Sequence, residues 1–313
     1  LEISKLFFIK VMAITNNNKC PNHICDGEIK IKYFSGNLDY KKINFNCTTD
    51  TYVKPSIYEC VKCKIIFSEL IFKMNKKQIE KTYKDVADDK YISQIKFKKY
   101  YFEKLINKIS KFINKDTNVL EIGSYYGVLG SVLKDKVNKY SGLELSSHGS
   151  NYARKNYNLN IYNETIENHL KKNIKYDLII MADVIEHFND PFKGLSQVNE
   201  LLNKNGKLIL TTFNIDSFYA KITGKNYHWL IPFHIVFFSN RTLEIFGRNN
   251  NLKLVKIIND PRYVSFGYLI EKLILIFPRL SFVFKFFSKI RFLRNFNVKV
   301  DLKDLKIYYF EKM

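Results

Sequence analysis

The sequence predicts an α/β fold: a doubly wound, mainly parallel sheet with helices on both faces, preceded by a small cysteine-bearing segment. Three observations carry this. From residue 118 to residue 213, short apolar runs alternate with helix-patterned stretches, the signature of strand–helix units in a parallel sheet. The first of these runs ends in an acid and two spaced glycines, "VLEIGSYYGVLG" over 119–130, where glycine lets the backbone turn sharply and a ligand come close. Two close cysteine pairs, Cys20/Cys25 and Cys60/Cys63, stand upstream of it.

The chain has 313 residues, of which 46% are apolar, enough for a sizeable core. Its formal net charge is +21. A basic chain can meet nucleic acid, an anionic membrane or phosphorylated substrates. Here Lys and Arg are spread along the chain rather than gathered in one block, so compositional bias accounts for most of the charge. The opening "LEISKLFFIKVMAI" mimics a short signal core, but it lacks a small-residue cleavage site and runs into polar "TNNNK". Met12 therefore reads as the natural start and residues 1–11 as upstream read-through, with a cytoplasmic location expected. No run approaches the ~20 apolar residues needed to span a bilayer.

The N-terminal segment, 12–75, reads as a zinc ribbon. Zinc takes four soft ligands in a tetrahedron, and two tight cysteine turns supply them. Cys60-x-x-Cys63 has knuckle spacing, and Cys20-x4-Cys25 is the looser partner. His23 could replace one of that pair, Cys47 is a bystander, and metal-free buried thiols are the alternative. With four protein ligands no coordination position stays open, so the expected zinc is structural.

Residues 76–115 read as helix, with apolar residues at three-to-four spacing. "NVLEI" is a strand, "GVLGSVLKD" opens a helix, and "YSGLEL" is the next strand, with Ser146 or Ser147 capping "HGSNYARKNY". "LNIY" and the apolar "YDLIIMA" follow as strands, then a helix opened by Pro191, a turn at "NKNG", and the strand "KLILTT". A helix near "NRTLEIFGRNN" and the strands "LKLVKII" and "LKIYYF" complete the pattern.

In such sheets ligands bind at the carboxyl ends of the strands, at the topological switch point. The loop at 123–127 stands at one such end. Glu144 ends the next strand about 20 residues on, where an acid accepts hydrogen bonds from ribose hydroxyls. The acid Glu121 two residues before Gly123, and three residues between Gly123 and Gly127, depart from the dinucleotide pattern. They match a ligand with no pyrophosphate to cradle.

With these residues the chain resembles the class I S-adenosylmethionine-dependent methyltransferases, in particular the bacterial group with an N-terminal zinc ribbon. "YECVKCKIIFSE" is similar to that group's second knuckle, "VLEIGSYYG" to its first motif, "YSGLELS" to its ribose motif, and "YDLIIMADVIEHFNDP" to its fourth-strand motif. "LLNKNGKLILTT" and "HWLIPFHIVFFSNRTLEIF" resemble its later segments.

The resemblance implies a seven-stranded Rossmann-like sheet with an antiparallel last strand over 76–313, carrying a helical insertion at about 262–300. It also implies roles. Glu121, Gly123 and Gly127 would line the methionine end of the cofactor, Glu144 would bind the ribose, and Thr165 and Ile166 would lie against the adenine, with Leu145 also among the cofactor-binding residues. Met181, Ala182 and Asp183 would lie beside the sulfonium. Tyr125 departs from the family's glycine-rich loop; its ring could cover the cofactor or fill the pocket. His187, then His234, then Glu186 are the candidate bases, since a histidine titrates near neutral pH. Each has a structural alternative: His187 as a loop-orienting residue, His234 as a core histidine, Asp183 as a helix cap.

The expected acceptor is a small molecule, by resemblance a sugar, a sugar nucleotide or a related metabolite of surface-polysaccharide or glycolipid assembly. RNA is the alternative acceptor, weakened by the lack of a basic stripe near the cofactor loops. A catalytically silent cofactor-binding module is the other alternative. The stretch 268–294, with Lys285, Lys289, Arg291 and Arg294 toward its end, could be a lid or a peripheral contact with the inner membrane face.

Overall fold

The computed structural model describes residues 20–22, 25–35, 38, 45, 53–276, 282 and 296–313. Met12, His23, Cys47 and residues 1–11 lie outside these. Strands β1 (Ile29–Tyr33), β2 (Ile57–Cys60) and β3 (Ile66–Ser68) form an antiparallel ribbon with the cysteines at its ends. The ribbon does not stand alone. A fourth strand, β9 (Val236–Phe237), joins it by pairing antiparallel to β3, with Ile66 opposite Phe237. The sequence reading did not anticipate this short strand, which fastens the N-terminal segment to the rest of the chain.

The expected single helix over 76–115 is broken. Helix α1 (Leu70–Lys73) leads into α2 (Lys76–Lys84), α3 (Asp89–Ser93) and α4 (Ile95–Ile109). Asp88 makes the break: its carboxylate accepts from Tyr91 N at 2.9 Å, and its own N–H donates to the Tyr126 hydroxyl at 2.7 Å. Both contacts compete with continued helix.

The central sheet has seven strands in the order β10-β13-β8-β7-β4-β5-β6. These are β4 (Asn118–Ile122), β5 (Lys139–Leu143), β6 (Ile161–Tyr162), β7 (Tyr176–Ala182), β8 (Leu202–Phe213), β10 (Leu252–Asn259) and β13 (Leu305–Lys312). β13 runs antiparallel to both its neighbours, β8 and β10, as the family resemblance implies. The turn at "NKNG" survives as a bulge at the start of β8. Asn205 has φ of 66° there, and the register against β7 jumps from Tyr176/Leu202 to Leu178/Lys207.

Alternating residues of the strands feed two cores. Leu120, Ile179, Met181 and Leu208 point to one, while Val119, Leu178, Ile180 and Ile209 point to the other. Both sets are buried because helices cover both faces, which is why these strands read as continuous apolar runs. Helices α4, α5 (Val128–Leu133) and α6 (Ser147–Tyr157) pack on the second face, and α8 (Pro191–Leu201) and α10 (Asn240–Asn249) on the first. Between β6 and β7 lies the short α7 (Ile166–Leu170), and after β8 the short α9 (Phe218–Thr223).

The insertion is rooted in a hairpin, β11 (Arg262–Ser265) against β12 (Asn297–Val300), with α11 (Phe266–Ile276) following β11. Beyond Ile276 the expected lid or membrane stretch falls outside the described residues, apart from Phe282. No helix among the described residues is long and apolar enough to cross a membrane.

Candidate functional site

The sheet order reverses at β4: β5 lies on one side, and β7 on the other. A cavity of about 270 Å³ opens at the carboxyl ends of these strands, where doubly wound folds bind ligands. Its wall is built from Gly123 and Tyr125 after β4, Glu144 and Leu145 after β5, Thr165 and Ile166 at the start of α7, and Asp183 and His187 after β7. Phe45, Ile79 and Tyr83, from the N-terminal part of the chain, and Phe233 close it.

The loop after β4 is shaped by two left-handed glycines. Gly123 has φ of 73° and Gly127 φ of 75°. A Cβ on Gly123 would lie 2.5 Å from Val184, and one on Gly127 2.6 Å from the Cβ of Ala153. Glycine is therefore required at both positions by conformation and by space. The loop N–H groups do not form an anion cradle. Those of Gly123 and Ser124 donate to the Leu143 carbonyl, at 2.8 and 3.0 Å, and that of Tyr125 to Glu144 Oε2 at 2.6 Å.

Glu144 is buried and takes Ser146 N on Oε1 at 2.6 Å and Tyr125 N on Oε2. A carboxylate has about four acceptor positions, so with the backbone of Ser146, Tyr125 and Leu145 donating to it, acceptor capacity remains where Glu144 lines the cavity. The diol of a ribose, whose hydroxyls donate, needs such an acceptor. Burial raises its pKa above the usual carboxylate value, while the backbone donors hold it down.

Tyr125 has φ of 46°, on the left-handed side where a ring-bearing residue is uncommon. Its ring meets Tyr91 edge-on at 4.7 Å and Tyr126 at 4.4 Å. It lines the cavity.

Several sequence candidates lie behind the wall. Glu121 is buried, receives the Tyr140 hydroxyl, and is pushed up to about 8 by burial. Met181 is fully buried in the core, Ala182 precedes Asp183, and Gly127 packs under α6. None of these four borders the cavity.

His187, His234 and Glu186 come together: one donor atom from each lies within 4.8 Å of the others. Only His187 borders the cavity. Its Nδ1 is 2.9 Å from the Tyr83 hydroxyl and 3.1 Å from the Phe233 carbonyl oxygen. A carbonyl only accepts, whereas the Tyr83 hydroxyl can meet Nδ1 as donor or acceptor, so the tautomer that satisfies both contacts has the proton on Nδ1 and leaves Nε2 basic. Burial lowers its pKa to about 4, with the Asp183 charge pulling the other way. His234 Nδ1 is likewise tied, to the Trp229 carbonyl at 2.8 Å, and burial next to His187 keeps the ring neutral. Glu186 is pushed up to about 8 by burial and by Asp183, and its Oε2 has no hydrogen-bond partner among the described residues.

The N-terminal cysteines form a second cluster. Cys20 Sγ is 3.4 Å from Cys63 Sγ, and Cys25 Sγ is 3.7 Å from Cys60 Sγ. All four sulfurs lie within 4.8 Å of one another. A tetrahedral zinc with Zn–S of about 2.3 Å separates its sulfurs by about 3.8 Å, so the set fits that ion. The N–H groups of Gly27 and Cys63 donate to sulfurs at 3.4 and 3.5 Å.

Sequence reasoning missed Phe45, Tyr83, Phe233 and Arg262. All four act through tertiary packing; Phe233 lies in the quoted "HWLIPFHIVFF" stretch without a role having been read for it, and the other three stand in no spaced motif.

A family model for a methyltransferase domain matches residues 94–257. Over 209 residues the chain is 27% identical to the ubiquinone biosynthesis O-methyltransferase of Pelagibacter ubique (strain HTCC1062), covering 59% of this chain and 87% of that one. A SAM-dependent methyltransferase from Archaeoglobus fulgidus overlays with a TM-score of 0.49 at 14% identity, over 72% of this chain and 100% of that one. Magnesium protoporphyrin IX methyltransferase from Synechocystis PCC 6803, crystallised with SAH, overlays with a TM-score of 0.44 at 11% identity, over 69% and 83%.

Proposed function

Since the chain belongs to the methyltransferase-domain family and is an S-adenosylmethionine-dependent methyltransferase, we propose that it methylates a hydroxyl of a small, ring-bearing acceptor, with His187 as base. The observation that carries this is the fixed tautomer of His187, whose Nδ1 lies 3.1 Å from the Phe233 carbonyl oxygen. A neutral imidazole on the cavity wall with Nε2 basic is the state a general base needs.

The residues present suit the cofactor. Glu144 keeps acceptor capacity for the ribose hydroxyls, Gly123 presents bare backbone at the wall, and Thr165 and Ile166 offer a wall for the adenine. The absence of an N–H cradle at Gly123, Ser124 and Tyr125 agrees with a ligand lacking phosphate. Bound S-adenosylmethionine supplies an electrophilic methyl group. The chain's part is to hold the acceptor beside His187, take its proton at Nε2, and stabilise the resulting imidazolium through Asp183. Aligning the reacting groups itself supplies much of the rate.

An oxygen acceptor is supported by the name of the Pelagibacter relative, an O-methyltransferase. A ring is supported by the aromatic residues around His187. Phe233 stacks on it at 5.8 Å, Tyr83 meets it edge-on at 5.9 Å, and Phe45 packs 5.6 Å from Tyr83. The sugar or sugar-nucleotide acceptor expected from sequence belongs to the same proposal, since a sugar also presents a flat apolar face.

The second part of the proposal is a structural zinc on Cys20, Cys25, Cys60 and Cys63. It would staple the ribbon whose strand β3 pairs with β9, two residues after His234.

The test is a methyl-transfer screen with labelled S-adenosylmethionine over phenols, catechols and nucleotide sugars, with the His187→Asn variant in parallel. Label on a hydroxyl of one class, lost in the variant, is the expected result. Label only on nitrogen or carbon acceptors, or a variant as fast as wild type, contradicts it.

A further inference from the structure

Arg262 stands at the root of the insertion, opposite Val300 in the β11–β12 hairpin. It is not on the cavity wall. Yet its Nη2 donates to Asp183 Oδ1 at 2.6 Å, and Asp183 is on that wall. We infer that Arg262 is a positioning residue for the transfer site, fixing the Asp183 carboxylate and so tying the insertion to the cofactor pocket. This rests on the function proposed above.

Asp183 is held from three sides. Its φ is 57°, a conformation that surrounding contacts must impose on a non-glycine residue. Its N–H donates to the carbonyl and to the hydroxyl oxygen of Thr211, both at 3.1 Å, and the Thr211 hydroxyl donates to Oδ1 at 2.8 Å. Arg262 adds the second donor on the same oxygen. With Oδ1 held by β8 on one side and β11 on the other, the carboxylate cannot rotate. Oδ2, which takes no hydrogen bond among the described residues, is the oxygen left for a ligand. The side chain remains 42% exposed.

The guanidinium is itself clamped. It stacks on the Tyr101 ring at 4.5 Å and lies 3.3 Å from Asp260 Oδ2. The Tyr101 hydroxyl donates to that same oxygen at 2.6 Å, and Lys108 lies 3.6 Å from Asp260 Oδ1. Two carboxylates and two cations therefore alternate from β7 through the hairpin root to α4. Any movement of the hairpin displaces Arg262, and with it Asp183. A planar, two-headed cation suits this bridging place, and a lysine does not.

The test is a double-mutant cycle on S-adenosylhomocysteine affinity, measured by calorimetry, with kcat and KM for S-adenosylmethionine alongside. Arg262→Met and Asp183→Asn are each expected to weaken binding roughly tenfold, and the double variant no more than either alone, because both remove one arrangement. The effect should fall on KM more than on kcat. Arg262→Lys keeps the cation and so the fold, and is expected to weaken binding roughly threefold with an unchanged circular dichroism spectrum. If Arg262→Met does not fold, the cycle is run with Arg262→Lys. Effects that multiply in the double variant, or an Arg262 variant that binds and turns over as wild type, overturn the inference alone. A folded wild type that binds no S-adenosylhomocysteine overturns the proposed function, and this inference with it.

Discussion

His187 Nδ1 lies 3.1 Å from the carbonyl oxygen of Phe233, which assigns the ring's proton to that nitrogen and its basicity to Nε2. Burial lowers the ring's pKa to about 4. A base must be unprotonated to act, so the acid limb of kcat/KM is expected near pH 4 rather than near the ordinary histidine value of about 6.5. Replacing His187 with Asn should lower kcat by roughly 10²–10⁴-fold and remove that limb. The pH–rate profiles of both proteins check this.

Tyr125 stands edge-on to Tyr91 and Tyr126 in the cavity wall. Tyr125→Ala should therefore weaken S-adenosylhomocysteine binding by roughly three- to tenfold, as expected for loss of aromatic packing, with kcat little changed. Calorimetry decides the point. A variant that binds more tightly than wild type would make the ring an obstruction and revive the silent-module reading.

The four sulfurs lie at spacings suited to zinc, and the ribbon they staple continues into β9. Purified protein should contain one zinc per chain by elemental analysis. Cys60→Ser should lose it and lower the melting temperature, because metal binding to such a segment is also folding energy. Activity should fall as well, through the β3–β9 pairing and the adjacent His234. Full activity in a zinc-free protein would separate the ribbon from the site.

Burial pushes Glu121 and Glu186 up to about 8. Each then holds a proton in the folded chain that the unfolded chain releases above about 4.3, so their contribution to stability is present at low pH and lost as pH rises toward 8. His187 and His228, both lowered to about 4 by burial, act with the opposite sign. Their contribution is lost as pH falls from about 6.5 toward 4. Glu121→Gln keeps an acceptor for Tyr140 and removes one titration. Its melting temperature should gain on wild type between pH 6 and pH 8.5. A constant gap across that range would contradict the raised carboxyl.

Much of the fold was legible because strands buried on both faces read as unbroken apolar runs, and because the Gly123 loop, Glu144 and the "ADVIEHF" stretch are local. The antiparallel sense of β13 came from family resemblance rather than from periodicity, and its place between β8 and β10 was not foreseen. What escaped was tertiary. β9 has two residues inside an aromatic stretch, too short for any period to show. The break at Asp88 depends on the hydroxyl of Tyr126, 38 residues away. Tyr83 reaches His187 across 104 residues and Arg262 reaches Asp183 across 79, and no spacing rule connects them. The same holds for Glu121, whose place in the motif does not disclose that Tyr140 occupies its carboxyl.

The central claim is that this cavity holds the nucleoside of S-adenosylmethionine through Glu144. Calorimetric titration of S-adenosylhomocysteine into wild type and Glu144→Ala tests it most directly, with melting curves to show that both are folded. The expected result is one site per chain in wild type and binding weakened by at least roughly tenfold in the variant, the scale of losing hydrogen bonds to a charged group. Equal affinity in the two proteins, or no binding to a folded wild type, would contradict the account.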